Sequence, residues 1–287
     1  MVGPPGSGKS MLAERIPSLL PPLGLEDSLE VASIHSISPI KTGKHSDISF
    51  VPPFRAPHHS TSVAGLVGGG SVPQPGEITL AHRGVLFLDE IAELRRDALE
   101  ALRMPLEAKV ITISRSRLHV EFPADCIVVG AMNPCPCGKF SSDRKLCRCS
   151  EMQRRKYFER LSGPIRDRFD VHLWVPSVPI SELQKGVLVQ ESSEQRKLRV
   201  VMARKRQEER GVLNTNLSGE NLAAFCSLDD VSKDLVERAS KKYSLSARGY
   251  TRILRVARTI ADLEAAETIV LEHVAEALSY RSNLLGS

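Results

Sequence analysis

Residues Gly3 to Ser10 read G-P-P-G-S-G-K-S and fit the complete phosphate-binding pattern G-x-x-x-x-G-K-[ST]. In such a loop the backbone N–H groups surround nucleotide phosphates, and glycines let the main chain come close. Lys9 reaches the β- and γ-phosphates, while the hydroxyl of Ser10 binds Mg²⁺. The stretch therefore predicts a nucleotide site in an α/β fold. The nucleotide-binding residues in this prediction are Gly3, Pro4, Pro5, Gly6, Ser7, Gly8, Lys9 and Ser10.

The composition limits the classes of protein to which the chain can belong. Its 287 residues suffice for one large domain or two smaller ones, and 41% hydrophobic with 25% charged residues is typical of a globular protein. The net charge of +5 permits an anionic partner without requiring one. No apolar run approaches the roughly 18 residues of a membrane span, and no secretory signal is visible. Since four of the six cysteines lie in two tight pairs, we expect a cytoplasmic protein without a membrane partner.

Hydrophobic periodicity divides the chain into an α/β part and an all-helical part. Continuous apolar runs predict buried strands at Val85–Leu88 and Cys126–Ala131, and weaker signals predict strands at Val31–Ile34 and Val171–Val175. Helical spacing extends over Ile91–Ala108. No strong strand signal follows residue 179. Further helices are expected near Glu194–Arg210, Gly219–Phe225, Val231–Lys242, Ala247–Ala265 and Val270–Tyr280.

These signals predict a core over residues 1–178 and a helical domain over residues 179–287. Within the core we expect an insertion at 38–76, a β-hairpin at 109–122 and a Cys-rich loop at 133–150. The insertion is rich in Pro, Gly, Ser and His, which indicates loops and short hairpins.

Two acidic residues, Asp89 and Glu90, directly follow the apolar run Val85–Leu88. A buried strand would deliver both carboxylates to its C-terminal end, where ligands bind in open α/β sheets. Asp89 would then hold Mg²⁺, and Glu90 would activate a water molecule as general base. The alternative is a strand that runs into an acidic helix start.

Two further positions have a functional and a structural interpretation. Asn133 follows the second buried strand, where an amide can orient a water or contact the γ-phosphate; the alternative is a turn residue, because Asn-Pro commonly starts a turn. Arg168 lies near a predicted helix end, from which it can reach a neighbouring subunit's site. The alternative for Arg166 and Arg168 is a surface salt bridge with nearby aspartates.

Taken in order, these motifs resemble Walker A, Walker B, sensor 1 and the arginine finger of AAA+ ATPases. More specific segments look like the magnesium-chelatase-related ATPases, and in particular the ComM/YifB competence-protein group. In the core these segments are F-R-A-P-H-H-S at 54–60, G-G-G at 68–70, P-G-E-I at 75–78, L-A-H at 80–82 and N-P-C-P-C-G at 133–138. The stretches at 247–250 and 252–263 resemble that group's C-terminal lid, so the resemblance covers essentially the whole chain.

The resemblance implies a three-layer AAA+ P-loop core with a parallel sheet, its first strand missing, followed by an all-helical lid. It also implies a ring, expected to be a hexamer, with ATP and Mg²⁺ at subunit interfaces. ATP hydrolysis would be coupled to DNA branch migration or helicase activity in recombination and natural transformation. By the same resemblance Arg168 is the finger acting in trans and Arg248 the sensor-2 arginine, with Arg252 as the alternative.

The hairpin at 109–122 would, by this resemblance, project into the pore of the ring. Lys109 at its base and Arg115 and Arg117 at its tip could then follow a DNA backbone. The alternative is an ordinary hairpin with a solvated basic turn.

The Cys-rich loop holds Cys135, Cys137, Cys147 and Cys149 as two C-x-C pairs. Four thiolates satisfy tetrahedral Zn²⁺, although C-x-C is tighter than the usual C-x₂-C spacing. The alternative is four reduced cysteines without a metal. His58 and His59 are not expected to share a metal, because adjacent side chains on an extended segment point to opposite faces.

Two rival functions stay open. The first is a magnesium-chelatase motor subunit; the Cys pairs and the lid sequence favour the ComM/YifB group instead. The second is a truncated, non-catalytic fragment. Relatives of this group carry a domain resembling that of Lon protease, and a strand, ahead of the phosphate loop, so we expect the isolated chain to be poorly stable and weakly active.

Overall fold

The computed structural model describes residues 1–38, 48–115, 118–140, 147–178, 191–243 and 245–282. The chain divides into two units. The first comprises Met1–Ser18, Pro22–Phe169 and Val175–Gly186; the second comprises Leu19–Pro21, Asp170–Trp174 and Val187–Ser287. Since residues 179–190 lie outside the described ranges, the boundary at 178/179 stays a prediction.

The first unit alternates short strands with helices. Its helices are α1 (Lys9–Leu19), α2 (Leu25–Ser36), α3 (Val63–Val67), α4 (Glu77–Leu80), α5 (Arg96–Ala101), α6 (Arg103–Ala108), α7 (Glu151–Phe158) and α8 (Gly163–Arg166). Its strands are β1 (Phe54–Arg55), β2 (Gly68–Gly69), β3 (Gln74–Pro75), β4 (Val85–Leu88), β5 (Val110–Arg115), β6 (Leu118–Pro123) and β7 (Ile127–Gly130).

A parallel sheet in the order β1-β4-β7 forms the centre of this unit. All four residues of β4 are buried, which explains its continuous apolar run. Strand β7, also predicted to be buried, is not: Ile127 is 44% exposed and the other three residues are partly exposed. Beyond β7, Val2 forms a parallel bridge with Met132, and the Val2 carbonyl accepts a hydrogen bond from the Val175 N–H at 2.8 Å. The carboxyl ends of these segments therefore meet at one edge of the sheet.

Helix α1 packs against this sheet through its small residue Ala13. The Ala13 side chain is buried together with Phe87 of β4 and Ala131 at the end of β7. This contact directs the start of α1, and with it the phosphate loop, toward the carboxyl edge of the sheet.

The hairpin and one short sheet complete the first unit. Strands β5 and β6 pair antiparallel from Val110↔Pro123 to Arg115↔Leu118, which confirms the predicted hairpin. Its buried face carries Ile111, Ile113 and Phe122, as alternation along the strands requires. Strands β2 and β3 form a separate two-stranded sheet within the predicted insertion.

Three predicted elements differ from the structure. Val31–Ile34 is part of helix α2 and not a strand, because Ser28, Val31 and Ile34 form a buried stripe at three-residue spacing. The segment Ile91–Ala108 is broken into a 3₁₀ turn at Ile91–Glu93 and helices α5 and α6, since Leu94 is extended and Pro105 cannot donate a helical hydrogen bond. Residues 171–175 form no strand ladder in the described part of the chain.

The second unit is helical in its described residues, as predicted. Its helices are α9 (Ser193–Glu209), α10 (Gly219–Phe225), α11 (Asp230–Tyr243), α12 (Ala247–Leu263) and α13 (Leu271–Ser282). Helix α12 is central because Ile253, Ala257, Ile260 and Ala261 recur at helical spacing and are buried in one apolar cluster.

A buried charge network lies at the C-terminal end of α12. The Asp262 carboxylate has no exposed surface and accepts hydrogen bonds from Arg210 at 2.5 and 2.7 Å and from Asn214 at 2.8 Å. Arg258 lies 3.1 Å from the same carboxylate. Burial alone would raise the pKa of Asp262, but the hydrogen bonds from Arg210 and Asn214 and the charge of Arg258 hold that pKa below its ordinary value.

Among the described residues, none of the helices combines the length and the apolar character needed to cross a lipid bilayer.

Candidate nucleotide site

The phosphate loop connects Val2 to helix α1. Gly6 and Gly8 have φ values of +76° and +86°, which residues with a Cβ adopt only at a cost in free energy. These two glycines turn the chain around a concave surface directly before the first residue of α1. The pattern therefore requires glycine at these two positions for backbone conformation as well as for phosphate binding.

Lys9 lies over the main chain of its own loop. Its Nζ donates to the carbonyl oxygens of Gly3 at 2.8 Å and Pro4 at 2.9 Å, and only 8% of the residue is exposed. Burial lowers the pKa of Lys9, while the carboxylates of Asp89 and Glu90 act in the opposite direction. The ammonium group is thus held beside the two acids that follow β4.

The two predicted magnesium ligands are in direct contact. The Ser10 hydroxyl donates to Asp89 Oδ2 at 3.0 Å, and Asp89 Oδ1 accepts the Glu90 N–H at 2.9 Å. A hydroxyl and a carboxylate are oxygen ligands of the kind that Mg²⁺ prefers. The donor set and its position beside the phosphate loop therefore fit a magnesium ion.

Glu90 has an unusual backbone conformation and an unexpected partner. Its φ and ψ of 48° and 43° place a non-glycine residue in the left-handed region, which is uncommon and often marks a functional position. Its Oε2 lies 3.1 Å from His59 Nδ1. Both side chains are partly exposed, at 49% and 38%.

One premise of the sequence interpretation of His58 and His59 was wrong, while the expectation that they share no metal stays a prediction. The two rings do not point to opposite faces; their centroids lie 4.0 Å apart, because the segment turns after β1 instead of continuing as a strand. His58 contacts Ser60 Oγ at 2.7 Å, while His59 contacts Glu90. Only the pairing of β1 with β4 could have indicated this, since it brings the segments after both strands to the same edge.

A cleft of about 420 Å³ is lined by five of the eight predicted nucleotide-binding residues; Gly3, Pro4 and Ser7 are not part of its lining. Its lining consists of Pro5, Gly6, Gly8, Lys9, Ser10, Met11, Asp89, Glu90, Met132 and Asn133. Asn133 therefore faces the same cleft as the phosphate loop.

Arg168 is placed in a pair within its own chain. Its Nη2 lies 2.8 Å from Glu107 Oε1, and its Nη1 donates to the Pro164 carbonyl at 2.6 Å. The side chain is only 7% exposed. Arg168 therefore forms a salt bridge, but with a glutamate instead of the nearby aspartates that the alternative named. A role in trans would require Arg168 to leave Glu107.

The predicted sensor-2 arginines belong to the second unit. Arg248 is exposed in the first turn of α12, and Arg252 lies one turn further, 13% exposed and 3.4 Å from Asp170. Their approach to a nucleotide stays a prediction.

Of the predicted DNA-contacting residues, the structure describes one side chain. Lys109 ends helix α6, and its Nζ lies 3.1 Å from Asp125 Oδ1. Arg115 ends β5, but its side chain and the whole of Arg117 lie outside the described residues. A DNA-binding role for the hairpin therefore stays a prediction.

The structure brings the four paired cysteines together. The sulfur atoms of Cys135, Cys137, Cys147 and Cys149 all lie within 4.8 Å of one another. The two other cysteines, Cys126 and Cys226, lie elsewhere, and burial raises the pKa of their thiols to about 12 and about 11.

Two protein-family models match the sequence of this chain. A family model described as magnesium chelatase, subunit ChlI, matches residues 1–183, and the model of that subunit's C-terminal part matches residues 190–281. The chain belongs to the magnesium chelatase subunit ChlI family. Together the two matches extend over both units, and the parallel sheet followed by a helical region confirms the predicted AAA+ fold class.

Individual relatives narrow the family to the ComM/YifB group. The chain is 45% identical over 282 residues to the competence protein ComM of Haemophilus influenzae and 44% identical over 283 residues to the uncharacterized protein YifB of Escherichia coli. Each match covers 98% of this chain and 55% of the relative, so the chain spans slightly more than half of their length. Lon protease 2 of Bacillus subtilis is a distant relative, 28% identical over 164 residues that cover 47% of this chain and 28% of the protease.

Proposed function

We propose that this chain binds ATP and Mg²⁺ in the cleft beside the phosphate loop and hydrolyses the bond between the β- and γ-phosphates. The observation that carries the proposal is the contact between Ser10 and Asp89 at 3.0 Å. Each residue comes from a different motif, and a magnesium-dependent nucleotide site needs both beside the phosphates. Membership of an AAA+ family supports the same activity.

The polar groups that line the cleft each have a defined part in this proposal. The backbone N–H groups of the phosphate loop bind the phosphates, and Lys9 exchanges the carbonyls of Gly3 and Pro4 for phosphate oxygens. Ser10 and Asp89 would hold the magnesium ion, which neutralises developing negative charge on the phosphates. Asn133, which also lines the cleft, would orient the attacking water.

Glu90 accepts the proton of the attacking water in this scheme. Its carboxylate lines the cleft and is half exposed, so a water molecule can reach it. His59 restrains that carboxylate from the neighbouring strand end through the 3.1 Å contact. We assign His59 as a positioning residue for Glu90.

We propose that this chain assembles into a ring, as members of the AAA+ class commonly do. The ring is a hexamer in this proposal, and Arg168 and Arg248 complete its nucleotide sites. We further propose that the ring acts on DNA, because its relative ComM is a competence protein and the sequence between β5 and β6 is basic. Lys109, Arg115 and Arg117 are the proposed contacts.

A magnesium-chelatase motor subunit is the second candidate, because both family models carry that description. The 44–45% identity to ComM and YifB and the paired cysteines favour the first candidate. ATP turnover measured with branched DNA, with single-stranded DNA and with chelatase partner subunits separates the two. Stimulation by DNA supports the DNA-acting ring; stimulation only by chelatase subunits assigns the second function.

A further inference from the structure

The four clustered thiols have the spacing of ligands to one metal ion. The Sγ atom of Cys135 lies 3.3 Å from that of Cys137 and 3.6 Å from that of Cys147, and Cys137 and Cys147 are 3.7 Å apart. A tetrahedral zinc ion with Zn–S bonds of about 2.3 Å places its sulfurs about 3.8 Å apart. The fourth sulfur, that of Cys149, lies within 4.8 Å of the other three.

Arg154 ties the two halves of the cluster together. Its Nη1 donates to the Cys149 carbonyl at 2.7 Å, and its guanidinium lies 4.5 Å from the centre of the Phe140 ring. One cation thus contacts the residues that follow the first pair and the backbone of the second. Four thiolates around Zn²⁺ carry a net charge of about −2, which this guanidinium partly offsets.

The turn that follows the first cysteine pair lies against the phosphate loop. Gly138 has a φ of +72°, and its N–H donates to the Cys135 carbonyl at 2.9 Å. A Cβ at Gly138 would lie 2.8 Å from Pro5 Cγ and 3.9 Å from Asn133 Cγ. An interaction that stabilises the turn at Gly138 would therefore also support the phosphate loop and Asn133, which line the cleft.

We propose that Cys135, Cys137, Cys147 and Cys149 bind one structural zinc ion. All four protein ligands are thiolates, which leaves no open position for a reacting molecule, so the ion stabilises the turn behind the nucleotide cleft and takes no part in chemistry. A single ion fits better than an iron–sulfur cluster, because a cluster of several iron atoms holds its cysteine sulfurs further apart. All six cysteines are free thiols. The proposal does not depend on ATP hydrolysis.

Metal analysis of the protein, purified under reducing conditions without added metal, tests this proposal. We expect about one zinc ion per chain, reduced to background in the variants Cys137→Ser and Cys147→Ser. Cys126→Ser, which changes a thiol outside the cluster, is the matched control and should keep its zinc. Less than about half an equivalent of zinc in the parent protein, iron in its place, or cysteine pairs joined as disulfides would overturn the proposal.

A second measurement covers variants that fail to fold. Growth in cobalt-supplemented medium should give the parent protein the sulfur-to-metal charge-transfer bands and the visible d–d bands of a tetrahedral tetrathiolate site. Removal of zinc by a chelator should lower the thermal midpoint, and added Zn²⁺ should restore it. Cobalt spectra without thiolate charge transfer, or a thermal midpoint that chelation leaves unchanged, would contradict a structural zinc site.

Discussion

The hydroxyl of Ser10 lies 3.0 Å from Oδ2 of Asp89, although 79 positions separate the two residues in the chain. Ser10 belongs to the first turn of α1, and Asp89 directly follows the buried strand β4. Ala13 and Phe87, which pack together beneath this contact, fix the helix on the sheet. The packing of helix α1 on the sheet therefore brings the Ser10 hydroxyl and the Asp89 carboxylate together.

Replacing Glu90 by Gln should separate nucleotide binding from turnover. Glutamine keeps the shape of the side chain but cannot accept the proton, so turnover should fall by a factor of about 10²–10⁴ while ATP affinity stays within about threefold. Rapid-mixing assays of phosphate release and a fluorescent ATP analogue measure the two quantities. Glu93→Gln, three residues along and paired with Arg160, is the matched control. Normal turnover by the Glu90→Gln variant would remove Glu90 from the role of base.

Replacing His59 by Ala should lower kcat and leave the KM for ATP nearly unchanged. The lost 3.1 Å contact frees the Glu90 carboxylate, and we expect a decrease of about three- to tenfold, typical of a misplaced base. His59→Gln, which still offers an N–H donor, should recover part of the rate. His58→Ala alters the adjacent ring, which contacts Ser60 instead, and serves as the control. Equal effects of the two alanine variants would show that the segment is only structural.

Mixing two inactive variants tests whether Arg168 acts across a subunit interface. Arg168→Ala lacks the proposed finger and Glu90→Gln lacks the proposed base, but a ring containing both has some complete sites. ATP turnover by the mixture should therefore exceed the sum of the separate variants. Arg155→Ala, which removes an exposed arginine paired with Glu159, should behave as the parent protein. If mixing restores no activity and Arg168→Ala instead lowers the thermal midpoint, then the pair with Glu107 is the whole role of Arg168.

The buried network around Asp262 should control the stability of the helical unit. Asp262→Ala leaves Arg210 and Arg258 without their carboxylate, and we expect a loss of about 3–5 kcal/mol in free energy of unfolding. Asp230→Asn breaks an exposed pair with Lys233 and should cost less than about 0.5 kcal/mol. Urea titrations followed by circular dichroism compare the two. Similar midpoints for both variants would contradict the assigned importance of the network.

Acid should act on the same network. The folded state holds the pKa of Asp262 below its ordinary value of 3.8, so its contribution is complete above that pH. The contribution is lost as the pH falls through the lower pKa of the folded state, because the unfolded state then binds the proton first. Thermal midpoints recorded from neutral pH down to about pH 2 should fall more steeply for the parent protein than for Asp262→Ala.

Local chemistry made much of the site predictable, and tertiary packing decided the rest. The phosphate loop, the strand β4 with its two acids, and the hairpin each have a short pattern whose residues determine their conformation or function. The contact between His59 and Glu90 has no such pattern, because it depends on strand β1 lying beside β4. The prediction of a strand at 31–34 was wrong because four residues with apolar ends do not distinguish a strand from one turn of helix.

Magnesium-dependent ATP turnover in a double-variant cycle tests the central claim most directly. Turnover is measured for the parent protein, for Ser10→Ala, for Asp89→Asn and for the variant carrying both changes, at increasing Mg²⁺ concentrations. If both residues hold one ion, ATP turnover falls at least about tenfold in each single variant, and each variant needs more Mg²⁺. The double variant should then be hardly less active than the less active of the two single variants. Turnover that survives both substitutions, or losses that multiply as for independent sites, would contradict a shared magnesium–ATP site at Ser10 and Asp89.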